Sequence, residues 1–323
     1  MTSVLSPFGP VEADLEQLRQ SLTQLVSAQH PILGLAAEHL FAVRGKGIRP
    51  AIVLLVARAT ALGGELTIRH RRLAEITEMI HTASLVHDDV IDEAEVRRGV
   101  STVNADFGNR VAVLAGDFLF AQSSWYLANL DNLEVVKLLS QVIKDFAEGE
   151  LLQSATQFDL SLTLERYLEK NYFKTASLIA NSGKAAALLS EASPAVAEAM
   201  YIYGKSLGIA FQIIDDLLDF TSTTEVLGKP AGSDLAQGHL TAPVLFALEE
   251  MPQLRDLIES ELTEAEQLAQ AVAWVRQSNG IPRSRQLAKD YAHQAAASLD
   301  ILAPSPARRS LFSLTEYILE RVS

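Results

Sequence analysis

The chain has 323 residues, 48% of them hydrophobic, enough to bury a sizeable core, and a net charge of −13 from 27 basic and 40 acidic side chains. That acidic balance, with no basic stretch, excludes a nucleic-acid binder, because phosphate contacts need clustered Lys and Arg. The absence of cysteine excludes disulfides, thiolate nucleophiles and cysteine-based zinc sites, and is compatible with a reducing cytoplasm.

Residues 1–12 have no cationic start followed by an apolar run, so no secretory signal is expected. Apolar stretches such as Ala51 to Val56 are cut by charges well before the roughly 18 residues a bilayer span needs. Apolar residues recur at helical spacing through 11–28, 31–43, 50–62, 69–93, 110–130, 133–156, 163–190 and 195–220, and more weakly from 240 to the end. The segment Val196 to Phe220 is apolar on most faces, which predicts a central helix buried on several sides. Breaks fall at Gly45 and Gly47, Gly63-Gly64, Gly99, Gly108 and Ser193-Pro194, with 221–243 the most loop-like stretch. With no linker and no repeat, the pattern predicts one all-α domain over 1–323, in the cytoplasm.

Two of these helices end in the same pattern. Leu85-Val86-His87-Asp88-Asp89-Val90-Ile91-Asp92 closes one, and Phe211-Gln212-Ile213-Ile214-Asp215-Asp216-Leu217-Leu218-Asp219 closes another. Residues four apart share a helix face, so Asp88 stacks with Asp92 and Asp215 with Asp219, while Asp89 and Asp216 lie on the flank. Like charges at that spacing destabilise a helix by roughly 0.2–0.5 kcal/mol. Leaving them partly buried without a cation costs far more. Magnesium resolves the conflict, because it takes one or two carboxylates and lets water and phosphate oxygens complete its octahedron. Neither segment has the alternating Asp-x-Asp-x-Asp-Gly turn of a calcium loop. Two such clusters facing each other would hold a diphosphate.

An anionic ligand on an acidic chain needs local positive charge. Lys46 and Arg49 lie in Arg44-Gly45-Lys46-Gly47-Ile48-Arg49-Pro50, where glycine lets backbone approach a phosphate. Arg97-Arg98 follows the first aspartates by about a turn, ahead of Gly99, which is expected to stop the helix. Lys174-Thr175-Ala176 falls inside a helix, where Thr175 is expected to bond backward to a carbonyl and bend it. Lys229 lies in Leu227-Gly228-Lys229-Pro230, and His81 is seven residues before Asp88, almost on its face. His87 points elsewhere and is given no role.

With these motifs in this order, the chain resembles the trans-isoprenyl diphosphate synthases from about residue 30 to the C-terminus. Within them Glu78-Met79-Ile80-His81-Thr82-Ala83-Ser84 and Ala115-Gly116-Asp117-Phe118-Leu119-Phe120 look like the long-chain, cyanobacterial-type solanesyl diphosphate synthases. The resemblance implies a bundle of long helices around a central cavity, and successive addition of isopentenyl diphosphate to an allylic primer, farnesyl or geranylgeranyl diphosphate. It implies three Mg2+ ions, two on Asp88 and Asp92 and one on Asp215, with Asp89, Asp216 and Asp219 in support. Arg97, Lys174 and Lys229 would contact the allylic diphosphate, and Lys46, Arg49, His81 and Arg98 the isopentenyl diphosphate. Thr175 and Gln212 would line the region where the allylic cation forms. A homodimer and transient membrane contact for release of a lipid product are implied as well. The chain departs from the family where Arg44 replaces a glycine, Gly47 a basic residue and His239 a lysine.

Product length follows from Ala83 and Ser84, just below Asp88. In relatives that stop early, a bulky aromatic in this pair closes the tunnel floor; here both are small, so a product of about C45 is expected, with Leu127 or Leu139 as a deeper floor. The competing readings are a shorter-chain farnesyl or geranylgeranyl synthase, a terpene cyclase, and a non-catalytic helical partner subunit. A cyclase has no use for Lys46, Arg49 and Arg98, and a degraded subunit should lose aspartates, whereas all six are present.

Overall fold

The computed structural model describes residues 6–26, 28, 30–42, 45–97, 99–222 and 231–321, apart from the side chains of Glu38 and Ala42. The fold is all-α. Ten helices carry the chain through the second aspartate motif: α1 (Glu12–Leu25), α2 (Pro31–Ala42), α3 (Ile48–Thr60), α4 (Ile68–Ile91), α5 (Val103–Phe107), α6 (Asn109–Ala128), α7 (Leu133–Ala155), α8 (Leu164–Asn171), α9 (Ser177–Leu189) and α10 (Pro194–Thr221). Among the described residues six more follow: α11 (Ser233–Ala236), α12 (Ala242–Glu250), α13 (Leu254–Glu259), α14 (Ala265–Gln277), α15 (Gly280–Ser298) and α16 (Pro306–Glu320). Among the described residues the only strands are β1 (Val96–Arg97) and β2 (Val100–Ser101), an antiparallel hairpin pairing Val96 with Ser101 and Arg97 with Val100. Gly99, expected to stop a helix, serves this turn instead at φ +78°, a conformation that tight hairpin turns demand. The helix itself ends earlier, at Ile91.

The chain divides into two compact units, one of residues 1–143, 181–201 and 301–311, the other of residues 144–180, 202–300 and 312–323. In the first, α4 carries the aspartate motif. Its start is fixed by Thr67, whose hydroxyl accepts from the His70 amide while the Thr67 amide donates to His70 Nδ1, a capping box with histidine in the usual Glu/Gln place. Ile52 to Ala57 of α3 and Ile76, Met79, Ile80 and Ala83 of α4 are buried. On α6, Gly116 lets the helix approach the His87 ring, since a Cβ there would sit 2.2 Å from Nε2.

In the second unit, Phe220, Leu235, Leu240, Val244 and Val275 belong to one buried apolar cluster. The helix expected over 163–190 is broken by a wide π turn at Tyr172–Ala176 between α8 and α9, a device often found at functional sites. The central helix expected over 196–220 is α10, in which Tyr203, Leu207, Ala210, Ile213, Ile214 and Leu217 are buried. Gly204 and Gly208 bring α10 into backbone contact with this turn. A Cβ on Gly208 would lie 2.6 Å from Ala176 Cα, and one on Gly204 would lie 2.6 Å from the Ile179 oxygen. One turn beyond Gly208 stands Gln212, so this close approach places Gln212 beside Thr175.

Candidate active site

In the first unit the three aspartates of the motif differ in surroundings. Asp92 caps the end of α4 and is exposed, Asp88 is half-buried, and Asp89 is buried. Asp89 Oδ1 accepts from Arg97 Nε at 2.6 Å. Burial raises the Asp89 carboxyl above its ordinary range, and the Arg97 guanidinium opposes that rise. Ala94, in the turn out of α4, is held by Thr102 Oγ1 at 2.7 Å and Asn104 Nδ2 at 2.9 Å, both donating to its carbonyl. Arg97 is thus delivered by a hairpin pinned against the end of α4.

A cavity of about 380 Å³ opens beside this helix end. It is lined on one side by His81, Thr82, Leu85, Asp89 and Arg97, on another by Gly45, Gly47 and Pro50, and on a third by α1. Arg49 Nη1 lies 3.0 Å from His81 Nε2. A guanidinium only donates, so in this contact Nε2 is the acceptor. Gly47 is left-handed at φ +64° immediately before α3, which suits the glycine standing where a basic residue was expected. Lys46 is exposed between the two glycines. Arg44, Arg98 and Lys229 lie outside the described residues. Ala83 is fully buried, Ser84 donates to the His81 carbonyl at 2.9 Å, and Leu127 and Leu139 are buried.

In the second unit Asp215 is half-buried and Asp216 buried, as in the first motif, but the third aspartate, Asp219, is buried where Asp92 is exposed. Asp215 Oδ1 pairs with Arg321 Nη1 at 2.7 Å, and that guanidinium stacks on Phe211 with its carbon 4.7 Å from the ring centre. Asp216 is buried, with Oδ2 accepting from the Tyr167 hydroxyl at 2.5 Å and Oδ1 from Gln212 Nε2 at 2.9 Å. Burial, reinforced by nearby Asp234, pushes Asp216 up to about 7 against the pull of Tyr167, Gln212 and Lys170. Asp219 is also buried; it accepts from Ser233 Oγ at 2.8 Å and the Asp234 amide at 3.2 Å, tying α10 to α11. Thr175 Oγ1 donates to Gln212 Oε1 at 2.8 Å. The backward bond expected of Thr175 is therefore replaced by a bond across to α10, and the bend is the π turn itself. Lys174 donates to Gln153 at 2.9 Å and lies 3.7 Å from Glu150.

The structure thus joins Arg49 to His81, Arg97 to Asp89, and Thr175 to Gln212 and Asp216. Among the described residues no three carboxylates or histidines converge as a preformed metal cage. Sequence reasoning missed Tyr167, Lys170 and Arg321. Tyr167 and Lys170 precede Lys174 by seven and four positions, a one-face helical spacing that could have flagged them. Arg321 reaches Asp215 from the far end of the chain, and no local pattern announces it.

The polyprenyl synthetase family matches residues 30–275. The chain belongs to that family. It is 65% identical over its full length to a prenyl transferase of Synechocystis sp., all of which it covers. It is 55% identical to solanesyl diphosphate synthase 1, chloroplastic, of Arabidopsis thaliana, over 99% of this chain and 80% of that protein. Among solved structures, the polyprenyl synthase from Caulobacter crescentus complexed with calcium and isoprenyl diphosphate superposes with a TM-score of 0.91, at 32% identity over 99% of this chain and 98% of that one. As a member of this family, the chain is a prenyltransferase of all-α fold. Among the described residues no helix is long and apolar enough to cross a membrane.

Proposed function

We propose that this prenyltransferase is a long-chain trans-polyprenyl diphosphate synthase, adding isopentenyl diphosphate repeatedly to farnesyl or geranylgeranyl diphosphate to give a product of about C45, solanesyl diphosphate. One observation carries the reading: two Asp-Asp-x-x-Asp motifs, each ending a long helix, on a chain similar throughout to a solanesyl diphosphate synthase. Asp88, Asp92 and Asp215, the aspartates outside the buried scaffold, supply hard oxygen donors that fit three magnesium ions still carrying water and diphosphate oxygens. Magnesium, when bound, supplies the charge that favours loss of diphosphate. Asp89, Asp216 and Asp219 support the first set: Asp89 orients Arg97, Asp219 holds α11 to α10, and Asp216 orients Gln212.

In the reaction the allylic carbon–oxygen bond breaks, with its electron pair leaving on diphosphate. Arg97, Lys174 and Lys229 stabilise that growing charge more in the transition state than in the ground state. Thr175 and Gln212 face the cation. The isopentenyl double bond then attacks it, while Lys46, Arg49, His81 and Arg98 hold the second diphosphate; the cavity beside His81 and Arg97 supports that placement. The C2 proton goes to the departed diphosphate, whose oxygens are the base nearest the new bond. Apolar residues flanking both motifs exclude water that would quench the cation.

The helices α7, α9, α10 and α16 each pass from one unit into the other, which supports a single domain over 1–323. A cytoplasmic location, a homodimer and transient membrane contact during product release complete the proposal. Purified protein with magnesium, farnesyl diphosphate and labelled isopentenyl diphosphate is expected to yield extracted chains near C45. Failure to elongate any allylic primer rejects the activity, and a product stopping at C15 or C20 supports the shorter-chain alternative.

A further inference from the structure

In the second unit a polar chain begins at residues that none of the sequence motifs contains. Tyr167 of α8 is fully buried, and its hydroxyl donates to Asp216 Oδ2 at 2.5 Å. A buried phenol needs such a partner, since an unsatisfied hydroxyl costs on the order of 1–3 kcal/mol. The other carboxylate oxygen accepts from Gln212 Nε2. Both Asp216 oxygens accept, so Gln212 turns its amide nitrogen toward Asp216 and its oxygen toward Thr175. Thr175 then donates its single hydroxyl proton to that oxygen. The whole chain has one direction, and the Thr175 oxygen can meet anything further only as an acceptor.

Lys170 stands one turn beyond Tyr167. Its side chain is 5% exposed, and its ammonium lies 5.9 Å from the Tyr167 ring centre. Burial lowers its pKa, while Asp216 and Asp234 hold it up and Lys174 opposes them. A buried ammonium persists only where opposite charge surrounds it, and the same attraction favours Asp216 as an acceptor.

We propose that Tyr167, with the Lys170 ammonium over its ring, is a positioning residue for allylic bond breaking: it anchors Asp216, which through Gln212 presets the Thr175 oxygen toward the electron-poor carbon. On this view Asp216 works through hydrogen bonds and not as a metal ligand. The inference rests on the prenyl diphosphate synthase reading. The carbon–oxygen electron pair leaves on the diphosphate, no proton moves along the chain, and none of these residues is changed by the step. A preset acceptor stabilises the cation without reorganising at the moment of reaction.

The test uses the full-length protein and the variants Tyr167→Phe, Lys170→Met, Thr175→Val and the double variant Tyr167→Phe/Thr175→Val. Two rates are measured with farnesyl diphosphate and magnesium: diphosphate release without isopentenyl diphosphate, and elongation with it. Tyr167→Phe is expected to lower both rates by the same factor, about tenfold, or about 1.4 kcal/mol. KM for both substrates and the half-saturating magnesium concentration should stay within twofold. Lys170→Met is expected to act in the same direction. The double variant should be no slower than Thr175→Val, because both changes break one chain. Additive losses, a wild-type rate for Tyr167→Phe, or a lower melting temperature with unchanged kcat per folded molecule each overturn the positioning role. So does a more than tenfold rise in magnesium requirement for Tyr167→Phe. Wild-type protein that leaves every allylic primer intact overturns the parent reading as well, whereas wild-type turnover with any of the preceding results overturns the inference alone.

Discussion

Asp88 and Asp89 are sequence neighbours, yet one is half-buried and the other is buried against Arg97 at the cavity wall. A helix turns about 100° per residue, so adjacent carboxylates meet different surroundings and take different tasks. Ala83, on α4 above Ile80 and Met79, is fully buried, and Ala83→Tyr is expected to shift the product from about C45 to C20 or shorter. Sizing the extracted chains checks this, and an unchanged length removes Ala83 from the tunnel floor. A second residue-scale expectation concerns His70, which is buried, accepts from the Thr67 amide at Nδ1 and lies 3.2 Å from Ser190 Oγ at Nε2. Burial first, then Arg69 and Arg71, lower its pKa below 6.5. The folded protein therefore binds fewer protons than the unfolded chain, so this contribution is complete above about pH 6.5 and falls as pH drops below it. Urea midpoints at pH 7.5 and 5.5 should differ more for wild type than for His70→Gln, which keeps a donor and an acceptor without titrating.

At the scale of elements, the π turn at Tyr172–Ala176 and the glycines of α10 act together. Replacing Gly208 by alanine gains about 1 kcal/mol of helix propensity. The added Cβ would meet Ala176 Cα at 2.6 Å, an overpacking cost of about 1–3 kcal/mol. The second effect outweighs the first because the obstacle is backbone. Gly208→Ala is thus expected to lower both the melting temperature and kcat, since it pushes Gln212 away from Thr175. Differential scanning calorimetry with steady-state kinetics checks this, and a stabilised, fully active variant contradicts it. Helices were legible in the sequence because a 3.6-residue apolar period is local. The π turn and the β1–β2 hairpin were not: two-residue strands carry no period, and a single wide turn leaves the apolar pattern of 163–190 almost unbroken.

At the scale of the molecule, Val113, Leu114 and Trp125 leave apolar surface exposed on α6, which a second copy would bury in the proposed homodimer. Light scattering is expected to give about twice the 35.1 kDa chain mass, and Trp125→Glu should shift it toward the monomer; a wild-type monomer rejects the dimer. The sequence by itself determined the helical class, the family and the six aspartates, because these rest on local period and on residue types at short spacing. Tertiary structure decided which aspartates are buried in hydrogen bonds. It brought Tyr167 to Asp216 across 49 positions and Arg321 to Asp215 across more than a hundred. Such contacts depend on how helices distant in the chain pack together, and helix packing leaves no mark at the spacing a motif can express.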